Sequence, residues 1–113
     1  MALNDKTTLT VLADLAEAIA ARRGAPADKS YTAKLFAKGI EKCAQKTGEE
    51  AVEFVIAVAA DQREEIPKEA ADLLYHLLVT LECTGVSLDD VLLELGKRRG
   101  ISGHEEKASR VKT

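Results

Sequence analysis

The chain of 113 residues has no tryptophan, only four aromatic side chains (Tyr31, Phe36, Phe54 and Tyr75), two prolines and two cysteines. So few aromatics beside 18 alanines and 14 leucines favour helix over sheet and argue against an all-β sandwich or barrel. Surplus positive charge is also missing, since the net charge is -3. Without a basic surplus, and with too few aromatics for base-stacking platforms, nucleic-acid binding becomes a minor reading. No apolar run approaches the ~20 residues that span a bilayer, and Asn4, Asp5 and Lys6 leave no room for the apolar core of a signal peptide. A cytoplasmic chain with no membrane partner is expected. Cys43 and Cys83 are 40 positions apart among apolar helical residues, so they suggest neither a CxxC metal site nor a disulfide framework and read as reduced core residues.

What is present, 46% apolar and 31% charged residues, describes one soluble globular domain over 1–113. Helical periodicity predicts five helices. The first covers 6–23, from a cap at Asn4 or Asp5 to the stop at Gly24. A Gly/Pro loop over 24–29 leads to Ser30, whose side chain can cap a short helix from Tyr31 to Lys38. After a bend at Gly39, a long helix covers 40–62, interrupted only by Gly48, where close approach of another backbone is expected. Pro67 opens a fourth helix that runs through Glu82 and is terminated by Gly85. Ser87 and Asp90 resemble a capping box for a fifth helix over 88–99. From Ile101 onward periodicity is lost, and 101–113 reads as a flexible basic tail.

The third helix carries the strongest signal. At about 100° per residue, Glu49, Glu50 and Glu53 share one sector with Lys42 and Lys46. Ala51, Phe54, Val55 and Val58 fill the opposite side. A surface helix spreads polar residues over about half its circumference, whereas here acids form a narrow strip on an otherwise apolar element. The fourth helix repeats the pattern, with Glu69, Asp72, His76 and Cys83 on one face and Leu73, Leu74, Leu77, Leu78 and Leu81 on the other. If the two acidic faces meet, like charges in a partly desolvated cleft require a neutralising cation. Oxygen donors alone suit hard Mg²⁺ or Mn²⁺. The bland alternative is a solvated face of acids paired with lysines, and the two readings are about evenly weighted. A di-iron bundle needs Glu-x-x-His on two helices, which this chain lacks; its Asp72–His76 spacing is four.

Glu49-Glu50-Ala51-Val52-Glu53, then fifteen residues, then Glu69-Ala70-Ala71-Asp72 resembles the EExxE…ExxD signature of the all-α, MazG-like nucleoside triphosphate pyrophosphohydrolases. The surrounding segments Ser30–Phe36, Lys46–Ala51, Ala71–His76 and Glu106–Arg110 resemble the phosphoribosyl-ATP pyrophosphohydrolase family in particular, over about 9–110. The resemblance implies a MazG-like helical bundle completed by homodimerisation. It implies Mg²⁺-dependent hydrolysis of phosphoribosyl-ATP to phosphoribosyl-AMP and pyrophosphate, the second step of histidine biosynthesis, by a stand-alone enzyme. Carried over by position, Glu50, Glu53, Glu69 and Asp72 are the implied metal ligands, and Glu49 is a further ligand or orients the attacking water. For proton acceptance from that water, Glu49 and Glu53 remain alternatives.

Lys42 and Lys46 share the glutamate sector and suit a substrate with several phosphates; Lys34 joins them chiefly by resemblance. With Lys38 these lysines could form one basic ridge, provided Gly39 bends the chain little. Lys107 and Arg110, in a tail whose segment 97–113 carries six basic and two acidic residues, are expected to reach substrate phosphates as a flap, over a partner's site as readily as its own. His76, one turn beyond Asp72, is expected either to hydrogen-bond a ligand carboxylate or to be a satisfied core histidine. Tyr31 and Tyr75 read as packing residues with one polar tip. The apolar sides of the third and fourth helices exceed what one five-helix chain covers, which predicts an isologous homodimer with sites near its interface. Two competing readings remain: a MazG-like house-cleaning hydrolase of ordinary or noncanonical nucleoside triphosphates, and a non-catalytic helical dimerisation module.

Overall fold

A computed structural model describes residues 6–99 and shows an all-α chain: α1 (Lys6–Ala20), α2 (Tyr31–Lys38), α3 (Ile40–Ala59), α4 (Ile66–Thr84) and α5 (Leu88–Lys97). The expected tail over 101–113, with Lys107 and Arg110, lies outside the described residues.

Local chemistry accounts for most helix ends. Ser30 caps α2 by accepting a hydrogen bond from the Ala33 amide, and the Ser87–Asp90 capping box opens α5 with both reciprocal bonds in place. Pro67 sits in the first turn of α4, where its missing N–H costs nothing. Gly85 closes that helix in the left-handed conformation at φ 80°. Two bounds differ from the periodicity. Where 6–23 was expected, α1 ends at Ala20 and the chain turns through 21–24. Tertiary contacts hold that turn: the Arg23 guanidinium donates to the Glu82 carbonyl oxygen at 2.5 Å and lies 5.5 Å over the Phe36 ring. α5 likewise stops at Lys97, short of the expected 99.

The chain reorients at Gly39, whose φ of 95° and ψ of 169° separate α2 from α3. The ridge of lysines imagined through this point is therefore broken. Gly48 meets no close neighbour, because a Cβ built there would find nothing within 4 Å; the expected backbone approach is absent. The α3–α4 connection folds back through a turn in which Asp61 takes φ 55°, a left-handed value that a short polar residue tolerates.

The principal packing is that of α3 against α4, an antiparallel helical hairpin braced by α1 and α2. Ile19, Leu35, Cys43, Leu78 and Val79 form its buried cluster, one or two residues from each of the four helices. Fully burying a side chain of this size contributes about 1.5–3 kcal/mol. A polar seam runs beside it, where the Thr47 hydroxyl lies 2.9 Å from Thr80 Oγ1 and 3.0 Å from the His76 carbonyl oxygen. Cys43 and Cys83 meet across the same seam as free thiols with Sγ atoms 3.4 Å apart, a proximity that their 40-residue separation concealed. Outside the seam, α3 exposes Val52, Val55, Ile56 and Val58, and α4 exposes Leu74 and Leu77. No residue of α5 is buried.

Candidate metal centre

The hairpin brings the two acidic strips together. α3 supplies Glu50 and Glu53 and α4 supplies Glu69 and Asp72, three residues apart within each helix and therefore on one face. Carboxylate oxygens of Glu50, Glu69 and Asp72 all lie within 4.8 Å of one another. Glu50 is buried at 6% exposure, Glu69 is half-buried and Asp72 exposed, so the cluster opens to solvent on one side. Glu53 joins its edge, where hydrogen-bonding contact with Glu50, reinforced by the negative charges of Glu50 and Glu69, holds its carboxyl above the ordinary value.

Two atoms define the chemistry of this cleft. Oε2 of Glu50 and Oε2 of Glu69 are buried and have no hydrogen-bond partner. Buried polar atoms are normally satisfied, and an orphaned carboxylate oxygen beside other acids is more costly than an orphaned amide. One cation compensates part of the charge: Lys46 Nζ lies 3.3 Å from Glu50 Oε1 and 3.8 Å from Glu49 Oε1. The hydrogen bond to Glu50 holds the Lys46 ammonium above its ordinary pKa. Lys46 contacts Oε1 of Glu50 and leaves Oε2 without a partner. This donor set is all oxygen and anionic, which fits a hard divalent cation.

The other expected site residues divide. Glu49 turns away from the cluster: Gln45 Nε2 donates to its Oε2 at 2.9 Å, and that bond, with Lys46 and Lys42 nearby, holds its carboxyl below the ordinary range. Lys42 lies within electrostatic range of Glu49, and Lys34 is exposed on α2 without an ion pair among the described residues. His76 is buried and touches Asp72 through the backbone: its Nδ1 lies 2.7 Å from the Asp72 carbonyl oxygen. Its other ring nitrogen, Nε2, faces the Tyr31 hydroxyl.

Tyr31, for which the sequence predicts a packing role with one polar tip, is 51% exposed and borders the acid cluster. Its hydroxyl lies 3.0 Å from His76 Nε2, and burial together with the Tyr75, Glu50 and Asp72 charges outweighs Lys46 in raising the phenol above its usual pKa. Tyr75 lies beneath it and hydrogen-bonds Thr32. The available sequence signal was the Ser30 cap, which places Tyr31 at the first position of a helix.

A match to the family described as phosphoribosyl-ATP pyrophosphohydrolase extends over residues 12–99. The chain belongs to that family. Proteins named phosphoribosyl-ATP pyrophosphatase are similar across nearly all of it: one from Dinoroseobacter shibae is 58% identical over 102 residues, covering 90% of this chain and 100% of the relative. The Rhodobacter capsulatus protein is 56% identical over 102 residues, 90% of this chain and 99% of its own. That from Azorhizobium caulinodans is 56% identical over 99 residues, 88% of this chain and 91% of its own. As a phosphoribosyl-ATP pyrophosphohydrolase family member the chain is a hydrolase, and its four-carboxylate cleft occupies the matched region. Among the described residues no helix is long and apolar enough to cross a membrane.

Proposed function

We propose that this chain hydrolyses phosphoribosyl-ATP to phosphoribosyl-AMP and pyrophosphate, the second step of histidine biosynthesis, in the cytoplasm and with Mg²⁺ held by Glu50, Glu53, Glu69 and Asp72. The observation that carries the reading is the pair of orphaned buried oxygens, Glu50 Oε2 and Glu69 Oε2, inside a cluster of acids. When bound, Mg²⁺ supplies neutralisation of the charge on the pyrophosphate leaving group and acidifies water.

The chain's own residues do the rest. Glu53, at the edge of the cluster and in contact with Glu50 and Glu69, accepts the proton of the attacking water. Glu49, anchored by Gln45 and Lys46, holds Lys46 in place from the solvent side. Lys46, with a third of its side chain exposed, presents its ammonium to substrate phosphate, with Lys34 and Lys42 as further cations for the phosphates; a phosphate-binding role for Lys107 and Arg110, outside the described residues, rests on the family resemblance alone. No covalent nucleophile is required, because water attacks phosphorus and the phosphoric anhydride bond breaks with pyrophosphate leaving. The valines and isoleucine of α3 and the leucines of α4 stay exposed in the single chain, and we assign their burial to an isologous homodimer.

The test is pyrophosphate release by the purified protein with Mg²⁺, first from phosphoribosyl-ATP and then from ordinary nucleoside triphosphates. Release from phosphoribosyl-ATP is expected. Release only from ordinary triphosphates would reject the assignment, and a Mg²⁺ titration without heat would reject the metal centre.

A further inference from the structure

Tyr31 has an arrangement unusual for a half-exposed tyrosine. An exposed phenol ordinarily turns its hydroxyl to water and rests its ring on the protein. Here the hydroxyl points inward, 3.0 Å from Nε2 of the buried His76, while half the residue stays open. The pairing has a definite direction. His76 Nδ1 lies 2.7 Å from the Asp72 carbonyl oxygen, which can only accept, so Nδ1 carries the proton and Nε2 accepts from the Tyr31 O–H.

The ring plane is fixed from a second side. Tyr75 lies nearly parallel, with ring centroids 6.2 Å apart and planes at 22°, and His76 meets Tyr31 edge-on at 79°. Tyr75 is itself held by a hydrogen bond to Thr32, the next residue after Tyr31, so α2 and α4 secure the aromatic pair jointly. Position matters as much as rigidity. His76 follows Asp72 by one helical turn, a rise of about 5.4 Å, and Asp72 belongs to the acid cluster. The open ring therefore stands beside that cluster, within electrostatic reach of Lys46, Glu50 and Asp72.

Resting on the proposed reading of the acid cluster as a phosphate and metal site, we propose that the open face of Tyr31 is the stacking platform for the adenine ring of the substrate. A plane already ordered by one hydrogen bond and two ring contacts loses little freedom when a base docks, and stacking on an aromatic side chain is worth about 5- to 150-fold in affinity. The base then lies at the mouth, with the phosphates directed inward past Lys46.

Steady-state kinetics of Tyr31→Leu and Tyr31→Phe test this, together with binding of AMP. Removal of the ring in Tyr31→Leu should raise KM for phosphoribosyl-ATP by about 5- to 150-fold while kcat changes far less. Tyr31→Phe keeps the platform and should keep most of the affinity. The chain has no tryptophan and two tyrosines, so AMP should quench wild-type tyrosine fluorescence directly. Inhibition by inorganic pyrophosphate, which has no base, should be equal in wild type and Tyr31→Leu. Absence of AMP quenching in the wild type overturns the proposal even if Tyr31→Leu does not fold. So does an unchanged KM in Tyr31→Leu, or a loss in Tyr31→Phe as large as that in Tyr31→Leu. AMP binding is read without turnover, so failure of the platform is distinct from failure of the hydrolase assignment, in which the wild type releases no pyrophosphate from phosphoribosyl-ATP.

Discussion

Glu50→Gln should make the metal-free protein more stable and the Mg²⁺-loaded protein less so, a reversal that a merely structural glutamate cannot produce. Glu50 is buried at 6% exposure, its carboxylate lies within 4.8 Å of acidic oxygens of Glu69 and Asp72, and Lys46 approaches it to 3.3 Å. At an effective dielectric of about 20, each repulsion, at a separation of 4.8 Å or less, costs at least about 3.5 kcal/mol and the Lys46 pair returns about 5 kcal/mol. The fully charged apo cluster therefore carries a net penalty of about 2 kcal/mol that the amide removes. Helix propensity hardly changes between Glu and Gln, and Lys46 keeps Glu49 as a partner at 3.8 Å. For a chain of this size the gain corresponds to a rise in Tm of about 5–8 °C. With Mg²⁺ at 100 times its Kd, the wild type should gain about 2.7 kcal/mol, whereas the variant, short of one ligand, should gain much less. Thermal melts of both proteins at low salt, in EDTA and in excess MgCl₂, measure the crossing, and pyrophosphate release measures the accompanying loss of activity. A variant that melts below the wild type in EDTA would show that the Lys46 pair outweighs the repulsion and would refute the reasoning, as would an equal Mg²⁺-induced rise in both.

Two further outcomes follow from the packing. Burial, the hydrogen bond to Cys83 and that neighbour's charge push the Cys43 thiol up to about 11 from 9.0. Because the folded value is the higher one, the associated stability is full below pH 9 and is lost as the pH rises through 11; Cys43→Ala should flatten this alkaline decline in urea unfolding measured from pH 8 to 11, and an unchanged slope would contradict it. On the open apolar face, Val55→Lys with Ile56→Lys should shift the proposed dimer to monomer in sedimentation velocity, both residues being more than half exposed in the single chain; a wild type that sediments as a monomer would remove the dimer altogether.

The sequence made the helices and the acidic faces readable because their signals are local. Ser30, Pro67, Gly85 and the Ser87–Asp90 pair act within one turn of where they stand, and the three-residue spacing of Glu50 with Glu53 and of Glu69 with Asp72 sets one face by geometry alone. What escaped depends on the register between helices. No periodicity foretells that Cys43 meets Cys83, or that Tyr31 turns its hydroxyl to His76, because each contact joins elements more than 39 positions apart. The local partner of Glu49 is also invisible to a helical wheel. Glu49 shares the sector of its neighbours, but Gln45, one turn earlier, competes for its carboxylate and holds it on the solvent side. The early end of α1 has a tertiary cause, the capture of Arg23 by Glu82 and Phe36.

The α3–α4 hairpin makes the acid cluster a local object in the chain. Glu50 and Asp72 stand 22 positions apart, joined by a turn of six residues. Bringing chain ends together costs entropy that grows only slowly with loop length, and a short, stiffly flanked turn keeps that cost near its minimum. The four acids are thus gathered at little expense in chain entropy, and electrostatic repulsion becomes the principal resistance to their meeting. Changes of length elsewhere, in the 21–30 connection or beyond α5, leave the spacing of these four carboxylates untouched, whereas a single residue inserted within a helix, between Glu50 and Glu53 or between Glu69 and Asp72, would turn one acid of that pair away from the other by about 100°.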